Sequence, residues 1–222
     1  PKPSSAASDV YKRQELTEEE RNRIIDSCLD QVSADYGNTI LKSSARNEYM
    51  IERTRRILRR TVWALQEQLK HGAFRPEGFE VRFQGGRIDR VDIMEEPENN
   101  RVYVKVIDYK TGNTSFDLLA LYHGLQLQLM VYLDGALQVE KRKYPDREIV
   151  PAGVFYYNVK DPMIQEKIHA DMESINEQML KKMKMNGLVQ ADDNMSTKID
   201  STMASIPVSY THLRAHETRG NL

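Results

Sequence analysis

The fold is decided by one segment, Val104-Lys105-Val106-Ile107-Asp108-Tyr109-Lys110-Thr111-Gly112. Its valines alternate with other residues, which is the period of a β-strand. Side chains two residues apart in a strand point to the same face of the sheet, so Asp108 and Lys110 are expected to project together. Charged side chains rarely follow an apolar run into a core unless they are paired. The segment therefore predicts a strand that ends in an acid–lysine pair.

A second acid lies on the strand-like segment just upstream, Gly86-Arg87-Ile88-Asp89-Arg90-Val91-Asp92. Two carboxylates on neighbouring strands can hold a hard divalent cation. A lysine beside that cation can orient water or offset the charge of a phosphate. Asp89, Asp108 and Lys110 therefore predict a metal-dependent phosphodiesterase site. Asp92 has the opposite parity to Asp89 and is the alternative acid, and an Asp-x-Lys pair alone is a weak signal.

A polar pair follows on a segment with helical periodicity. Gln128 and Tyr132 are four residues apart, so both polar ends can lie on the helix face that meets the site. By themselves, these two residues fit an exposed helix position and a half-buried packing position better than a functional role. The neighbouring acids and lysine are what make the functional interpretation the stronger one.

Three of these segments resemble the nuclease motifs of the RecB-like branch of the PD-(D/E)xK superfamily. They are residues 86–92, 107–110 and 124–133. Three further segments are similar to the C-terminal nuclease region of the AddB family, the B subunits of bacterial AddAB helicase–nucleases. They are residues 151–157, 161–165 and 182–188. The ordered set is much more specific than any one motif, and it covers roughly residues 15–204.

The resemblance implies a restriction-endonuclease-like α/β fold, a mixed central sheet flanked by helices. It implies that Asp89 and Asp108 bind Mg²⁺, or alternatively Mn²⁺, that Lys110 is catalytic, and that Gln128 and Tyr132 support the site. The implied activity is an exonuclease that hydrolyses DNA, in a helicase–nuclease that processes double-strand breaks for recombinational repair. The implied partners are DNA and an AddA-type helicase–nuclease subunit.

The chain departs from this family in its cysteines and at its ends. The family normally carries a histidine helix before the first acid and four cysteines for an iron–sulfur cluster. This chain has one cysteine, Cys28, so we expect no such cluster in it. Cys28 lies in an apolar helical pattern, which predicts a small core residue. Residues 1–14 and 205–222 resemble translated sequencing-adapter read-through, and we expect an incomplete nuclease domain over residues 15–204 between these tails.

The composition bounds the choice of partners. The formal net charge is −1, so any contact with DNA must come from a local patch. Arg53, Arg56 and Arg60 recur on one face of a helix expected over residues 44–71, and they are the candidate DNA-binding patch. That face could instead be solvated or meet an acidic partner subunit. No apolar run approaches the roughly 20 residues of a membrane span, and no secretory signal is visible, so we expect a cytoplasmic protein without a membrane partner.

Other interpretations stay open. The chain could be an inactive truncated piece, or a structural module that only docks on DNA or on a partner subunit. It could also be a stand-alone nuclease of the CRISPR-associated type, although residues 161–165 favour the AddB family. Convergence of Asp89, Asp108 and Lys110 in a structure would favour the nuclease.

The remaining patterns predict the elements around the site. Helices are expected over residues 18–36, 44–71, 118–139 and 162–185, and strands over residues 79–83, 87–94, 102–109 and 152–158. Thr17 and Glu20 fit a capping box that opens the first helix. Residues 192–202 are polar and are expected to be loosely ordered.

Overall fold

The computed structural model describes residues 16–35, 44–163, 171–191 and 194–201. The helices are α1 (Glu18–Asp35), α2 (Ala45–Lys70), α3 (Leu118–Tyr122), α4 (Gln128–Lys143), α5 (Met172–Lys182) and α6 (Met195–Ile199). The strands are β1 (Arg75–Phe83), β2 (Gly86–Glu96), β3 (Arg101–Lys110), β4 (Glu148–Asn158) and β5 (Asn186–Val189). Both predicted tails, residues 1–14 and 205–222, lie outside the described residues.

The five strands form one sheet in chain order, β1-β2-β3-β4-β5. Strands β3 and β4 are parallel, whereas the other neighbouring pairs are antiparallel. A parallel pair needs a long crossover, and the segment containing α3 and α4 supplies it. The mixed sheet flanked by helices that the sequence predicts is therefore confirmed.

Each face of the sheet carries its own apolar layer. On one face, Val91, Val104 and Val106 cluster with Leu129 and Ala136 of α4. Val104 and Val106 have the parity of Asp108 and of Lys110, so the functional end of β3 opens on the side that α4 covers. Alternating side chains thus place the packing residues and the candidate site on a single face.

The opposite face packs against α2. Tyr103, Ile107 and Phe155 cluster there with Phe74 and with the partly buried Leu65 of α2. Both layers are closed by helices, as an α/β sheet with a parallel pair requires. No helix in the part of the chain that the structure describes is long and apolar enough to cross a membrane.

Helix α1 begins with the predicted capping box. Thr17 Oγ1 accepts a hydrogen bond from the N–H of Glu20, and Glu20 Oε2 accepts one from the N–H of Thr17. The helix then lies beside α2, where Arg55 forms an ion pair with Asp26 at 3.1 Å. Cys28 is exposed, so its prediction as a core residue was wrong. Ile24 and Val32 of the same apolar pattern are exposed as well, and the buried positions of the helix are Arg21, Ile25 and Ser33.

The predicted helix over residues 118–139 is interrupted. After α3 the chain turns at Gly124, whose φ is 75°, before α4 begins. Glycine adopts this left-handed conformation without the steric cost that a Cβ would add. The side chain of Gln126 fixes the turn, because it accepts from the N–H of Asp117 and donates to the carbonyl of Ser115.

The C-terminal region also differs from the prediction. The helix expected over residues 162–185 is not helical at its start, and its described part is the shorter α5, since residues 164–170 lie outside the described ranges. Strand β5 was not predicted at all, and it pairs with the edge of β4. Within residues 192–202, expected to be loosely ordered, α6 buries Met195 and Ile199 in the core.

Candidate active site

Strands β2 and β3 bring two acids together. The strands are antiparallel, and their register pairs Arg90 with Ile107. Continuing that register by one residue places Asp89 opposite Asp108. The backbone of β3 anchors Asp89, because its Oδ2 accepts a hydrogen bond from the N–H of Tyr109 at 2.8 Å. The strand pairing itself therefore sets the positions of both carboxylates.

Asp108 is a buried acid whose negative charge is only partly balanced by its neighbours. Its side chain lies under the sheet surface, with only 3% of the residue exposed. The Nζ of Lys110 approaches Asp108 Oδ2 to 2.6 Å as an ion pair, yet this oxygen accepts no well-directed hydrogen bond. Burial raises the pKa of Asp108, and the charge of Asp89 adds to that rise, while Lys110 opposes it. The carboxylate is therefore held where further positive charge would stabilise it.

Lys110 is linked by hydrogen bonds to α4. Its Nζ donates to Oε1 of Gln128 at 2.9 Å, and Nε2 of Gln128 donates to the hydroxyl of Tyr132 at 2.9 Å. The Nζ also lies 5.4 Å from the centre of the Tyr156 ring, a cation–π distance. Burial alone would lower the pKa of Lys110, but the contact with Asp108 outweighs it and the pKa is raised. The amine is therefore held as an ammonium ion.

The approach of α4 to β1 places Gln128 and Tyr132. The rings of Phe83 and Tyr132 meet edge to face, with centroids 5.9 Å apart. Gly135 lies one turn further along α4, and a Cβ there would overlap the Phe83 ring. Only a residue without a side chain allows this separation of helix and sheet. Gly135 thus determines how close Gln128 and Tyr132 come to Lys110.

The donor atoms of the candidate site decide whether it could hold a metal ion. Across residues 16–35, 44–163, 171–191 and 194–201, no three His, Cys, Asp or Glu side chains form a metal-binding group. Asp89 and Asp108 are oxygen donors, which suit hard cations such as Mg²⁺, and Mg²⁺ commonly completes its shell with water and substrate phosphate. The buried Asp108 Oδ2 already faces a positive charge, the ammonium of Lys110 at 2.6 Å, and a cation would present the same charge to it.

Asp92 belongs to the other face of the sheet. It is fully buried, and Arg90 donates to both of its oxygens at 2.6 and 2.9 Å. Lys105 completes the cluster at 3.0 Å from Asp92 Oδ2. Burial would raise the pKa of Asp92, but Arg90 and Lys105 together lower it. Asp92, the alternative metal-binding acid of the sequence analysis, thus belongs to a buried cluster of charges on the face opposite the site.

The three candidate DNA-binding arginines have different surroundings. Arg56 forms an ion pair with Asp161 at 2.7 Å, and Arg60 binds the same carboxylate. Arg53 is exposed on α2. Their contact with DNA stays a prediction, in which a phosphate would compete with Asp161 for Arg56 and Arg60.

Two further residues contribute contacts to the site. Tyr109 donates its backbone N–H to Asp89, and Tyr156 lies below the ammonium of Lys110. The signal for Tyr109 was its position between the acid and the lysine of the motif. Tyr156 is brought in by the parallel register of β4, which pairs it with Asp108, and nothing local in the sequence marks it.

The sequence matches the PD-(D/E)XK nuclease superfamily over residues 5–211. The chain belongs to that superfamily. It is also similar to proteins named as the B subunit of an ATP-dependent helicase/deoxyribonuclease. Identity is 44% over 196 residues with that of Lachnoclostridium phytofermentans, covering 85% of this chain and 16% of the relative. It is 37% over 211 residues with that of Alkaliphilus metalliredigens, covering 85% and 18%.

A third relative of the same name, from Clostridium acetobutylicum, is 35% identical over 195 residues, which cover 79% of this chain and 17% of the relative. The resemblance to the AddB nuclease region is therefore confirmed. The chain spans less than a fifth of the length of each of these relatives, so it corresponds to one part of a much longer protein of that kind.

Proposed function

We propose that this chain is a nuclease domain that hydrolyses DNA phosphodiester bonds with Mg²⁺, acting as an exonuclease. The observation that carries the proposal is the ion pair between Asp108 and Lys110 on the α4 side of the sheet, beside which the strand register brings Asp89. Superfamily membership gives the reaction class. The two acids are oxygen donors, which supports a hard cation at this place.

Each residue has a defined part in the proposed reaction. Asp89 and Asp108 would hold Mg²⁺, which when bound acts as a Lewis acid and makes a water molecule more acidic. Lys110 remains an ammonium ion, so it donates to a phosphate oxygen and stabilises the charge that grows there. Gln128 and Tyr132 keep that ammonium in place. Water loses a proton to solvent and forms a new P–O bond, the ester P–O bond breaks, and the leaving oxygen takes a proton from solvent.

The biological setting follows from the relatives. Their name combines a helicase, a deoxyribonuclease and ATP dependence. By this likeness, we place the domain in a cytoplasmic helicase–nuclease that processes double-strand breaks for recombinational repair, beside an AddA-type partner. Lys110 and the two acids supply the cutting, whereas unwinding belongs to parts of such proteins outside this domain.

The test pairs a cleavage assay with calorimetric titration of Mg²⁺. Asp108→Ala should abolish cleavage and weaken Mg²⁺ binding, because one carboxylate is lost from the site. Lys110→Ala should lower the cleavage rate by about 10²–10³ while Mg²⁺ affinity is kept, since the lysine acts on phosphate and is no ligand. Lys181→Ala is the matched control, because Lys181 forms an exposed ion pair with Glu177 on α5.

Two results would contradict the proposal. Unchanged cleavage by Lys110→Ala would remove the lysine from the chemistry. Unchanged Mg²⁺ affinity in Asp108→Ala would place the metal elsewhere. Cleavage by Lys181→Ala should equal that of the unsubstituted chain, which excludes a general effect of removing a surface charge.

A further inference from the structure

The chain that leaves the candidate active site is held by side-chain amides. Residues 111–117 follow Lys110 directly and form neither helix nor strand. Backbone N–H and C=O groups without a partner in a helix or sheet must bond to water or to side chains. At four consecutive residues, 114–117, that partner is a side-chain amide. We call the three residues that supply these amides, Asn158, Asn186 and Gln126, the amide clamp.

Asn158 holds the backbone of Thr114 with both of its polar groups. Its Oδ1 accepts a hydrogen bond from the N–H of Thr114 at 3.1 Å, and its Nδ2 donates to the carbonyl of Thr114 at 2.8 Å. Asn158 is the last residue of β4, and the parallel register pairs it with Lys110. The N–H of Val159 also donates to the carbonyl of Lys110 at 2.8 Å. Asn158 thus ties Thr114 to the strand that lies beside the candidate lysine.

The other two amides continue the contact along the segment. Oδ1 of Asn186, the first residue of β5, accepts a hydrogen bond from the N–H of Phe116, and the Phe116 side chain packs against the apolar layer on the α4 face. The side chain of Gln126 bonds to Ser115 and Asp117, and so joins the departing chain to the chain that returns to α4. The two arms are therefore fastened to each other and to β4 and β5.

These two arms end at the hydrogen bond between Lys110 Nζ and Gln128 Oε1, which is 2.9 Å long. Lys110 lies four residues before Thr114, and Gln128 lies two residues after Gln126. Each arm is thus held close to the end that it presents to the site. A misplacement of about 1 Å at a reacting group can cost about 10²-fold in rate. The contacts that fix the arms therefore bear on how well the ammonium is placed.

We propose that the amide clamp positions Lys110 for cleavage, because it holds the two arms so that Gln128 keeps the ammonium at the phosphate. This inference rests on the proposed nuclease function. It makes Asn158 a positioning residue, which acts through Lys110 and Gln128 and touches neither metal nor phosphate. Through Asn158 and Asn186, β4 and β5 take part in the reaction without supplying an acid or a base.

The first measurement needs no activity. Hydrogen exchange with mass spectrometry follows the amides of residues 111–117 in the chain and in Asn158→Ala. Exchange should be about 4- to 100-fold faster in the variant, the factor for the loss of two hydrogen bonds of about 2- to 10-fold each. Asn186→Ala removes the single contact with Phe116 and should speed exchange by about 2- to 10-fold, which provides a second variant if Asn158→Ala does not fold.

The second measurement is the rate of DNA cleavage in Mg²⁺. In each of the two variants kcat should fall by a factor within the range given for its exchange, with KM unchanged, because Lys110 stabilises charge that grows in the transition state. In a Lys110→Ala background the same substitutions should lower kcat no further, since their effect passes through the lysine. Asn176→Ala is the control, because Asn176 is exposed on α5 and should change neither exchange nor cleavage.

Three results would overturn the proposal: unchanged exchange of residues 111–117 in both variants, unchanged kcat despite faster exchange, or an equal fall in kcat with and without Lys110. The last of these would show a general structural defect. Faster exchange in the variants, together with no cleavage by the unsubstituted chain, would refute the nuclease function and leave the clamp as a contact of the fold alone.

Discussion

Replacement of Asp92 by alanine should destabilise the fold severely. Asp92 has no exposed surface, and Arg90 and Lys105, which it neutralises, are themselves almost fully buried. Removal of the carboxylate takes away the hydrogen bonds from Arg90 and the ion pair with Lys105, and leaves Arg90 without this buried counter-charge while Lys105 still faces Asp200. Breaking a buried pair in this way costs about 3–5 kcal/mol. For a chain of this size, that loss corresponds to a fall in Tm of about 6–20 °C.

Urea unfolding followed by circular dichroism measures this loss as a shift in the midpoint at constant slope. Asp89→Ala is the matched control, because Asp89 is half-buried at the end of the same strand and should cost far less stability. In a cleavage assay the ranking should be reversed. Asp89→Ala should lose more activity than Asp92→Ala, since Asp89 is the proposed metal ligand and Asp92 is not. A loss below about 1 kcal/mol for Asp92→Ala, smaller than any broken buried pair, would refute the assignment of Asp92 to a stabilising cluster.

The other predictions concern the pH dependence of stability, the packing at Gly187, the hydrogen bond between Gln128 and Tyr132, and the iron content and ATP dependence of the chain. The pKa of Asp92 is lowered in the fold, so its stabilising effect is complete above pH about 4, the ordinary value of an aspartate, and is lost progressively as the pH falls from there toward the lowered value; the urea midpoints of the chain and of Asp92→Asn should draw together over that fall. Gly187→Ala should lower the unfolding free energy by about 1–3 kcal/mol, because a Cβ would overlap the carbonyl of Val154 and push β5 off the sheet; thermal scans measure this. Tyr132→Phe removes the acceptor of Gln128 and should lower kcat about 2- to 10-fold with KM unchanged. Metal analysis of the purified chain should find no iron, and ATP should not change its cleavage rate.

The sequence predicted from parity and spacing which side chains of the site lie together, and the family resemblance supplied their roles. Alternation along residues 102–110 was enough to put Asp108 and Lys110 together, and the structure has them in contact. The spacing of Gln128 and Tyr132 likewise became a hydrogen bond on one helix face. These relations follow from the fixed geometry of strands and helices, so the sequence contains them directly.

Contacts between segments that lie far apart in the sequence could not be predicted in this way. Strand β5 has four residues, too few for a periodic signal, and exists because β4 offers it an edge. The short helix α6 is held by burial of Met195 and Ile199 against residues far away in the chain. Asp161 binds Arg56, which lies 105 positions earlier in the chain. The arginines of α2 could therefore be predicted from the sequence, whereas the acid that pairs with them could not.

The acids, the lysine and the polar pair of the candidate active site come from one continuous stretch, from Asp89 to Tyr132, and the ring of Tyr156 joins them from β4. The hydrogen bonds that close it join positions only 18 to 20 apart, Lys110 with Gln128 and Tyr109 with Asp89. Loops of this length close at small entropic cost and close early, so the acids, the lysine and the polar pair should assemble during folding before β4 and β5 are added. The polar groups of the candidate site thus form a unit that is local in the sequence.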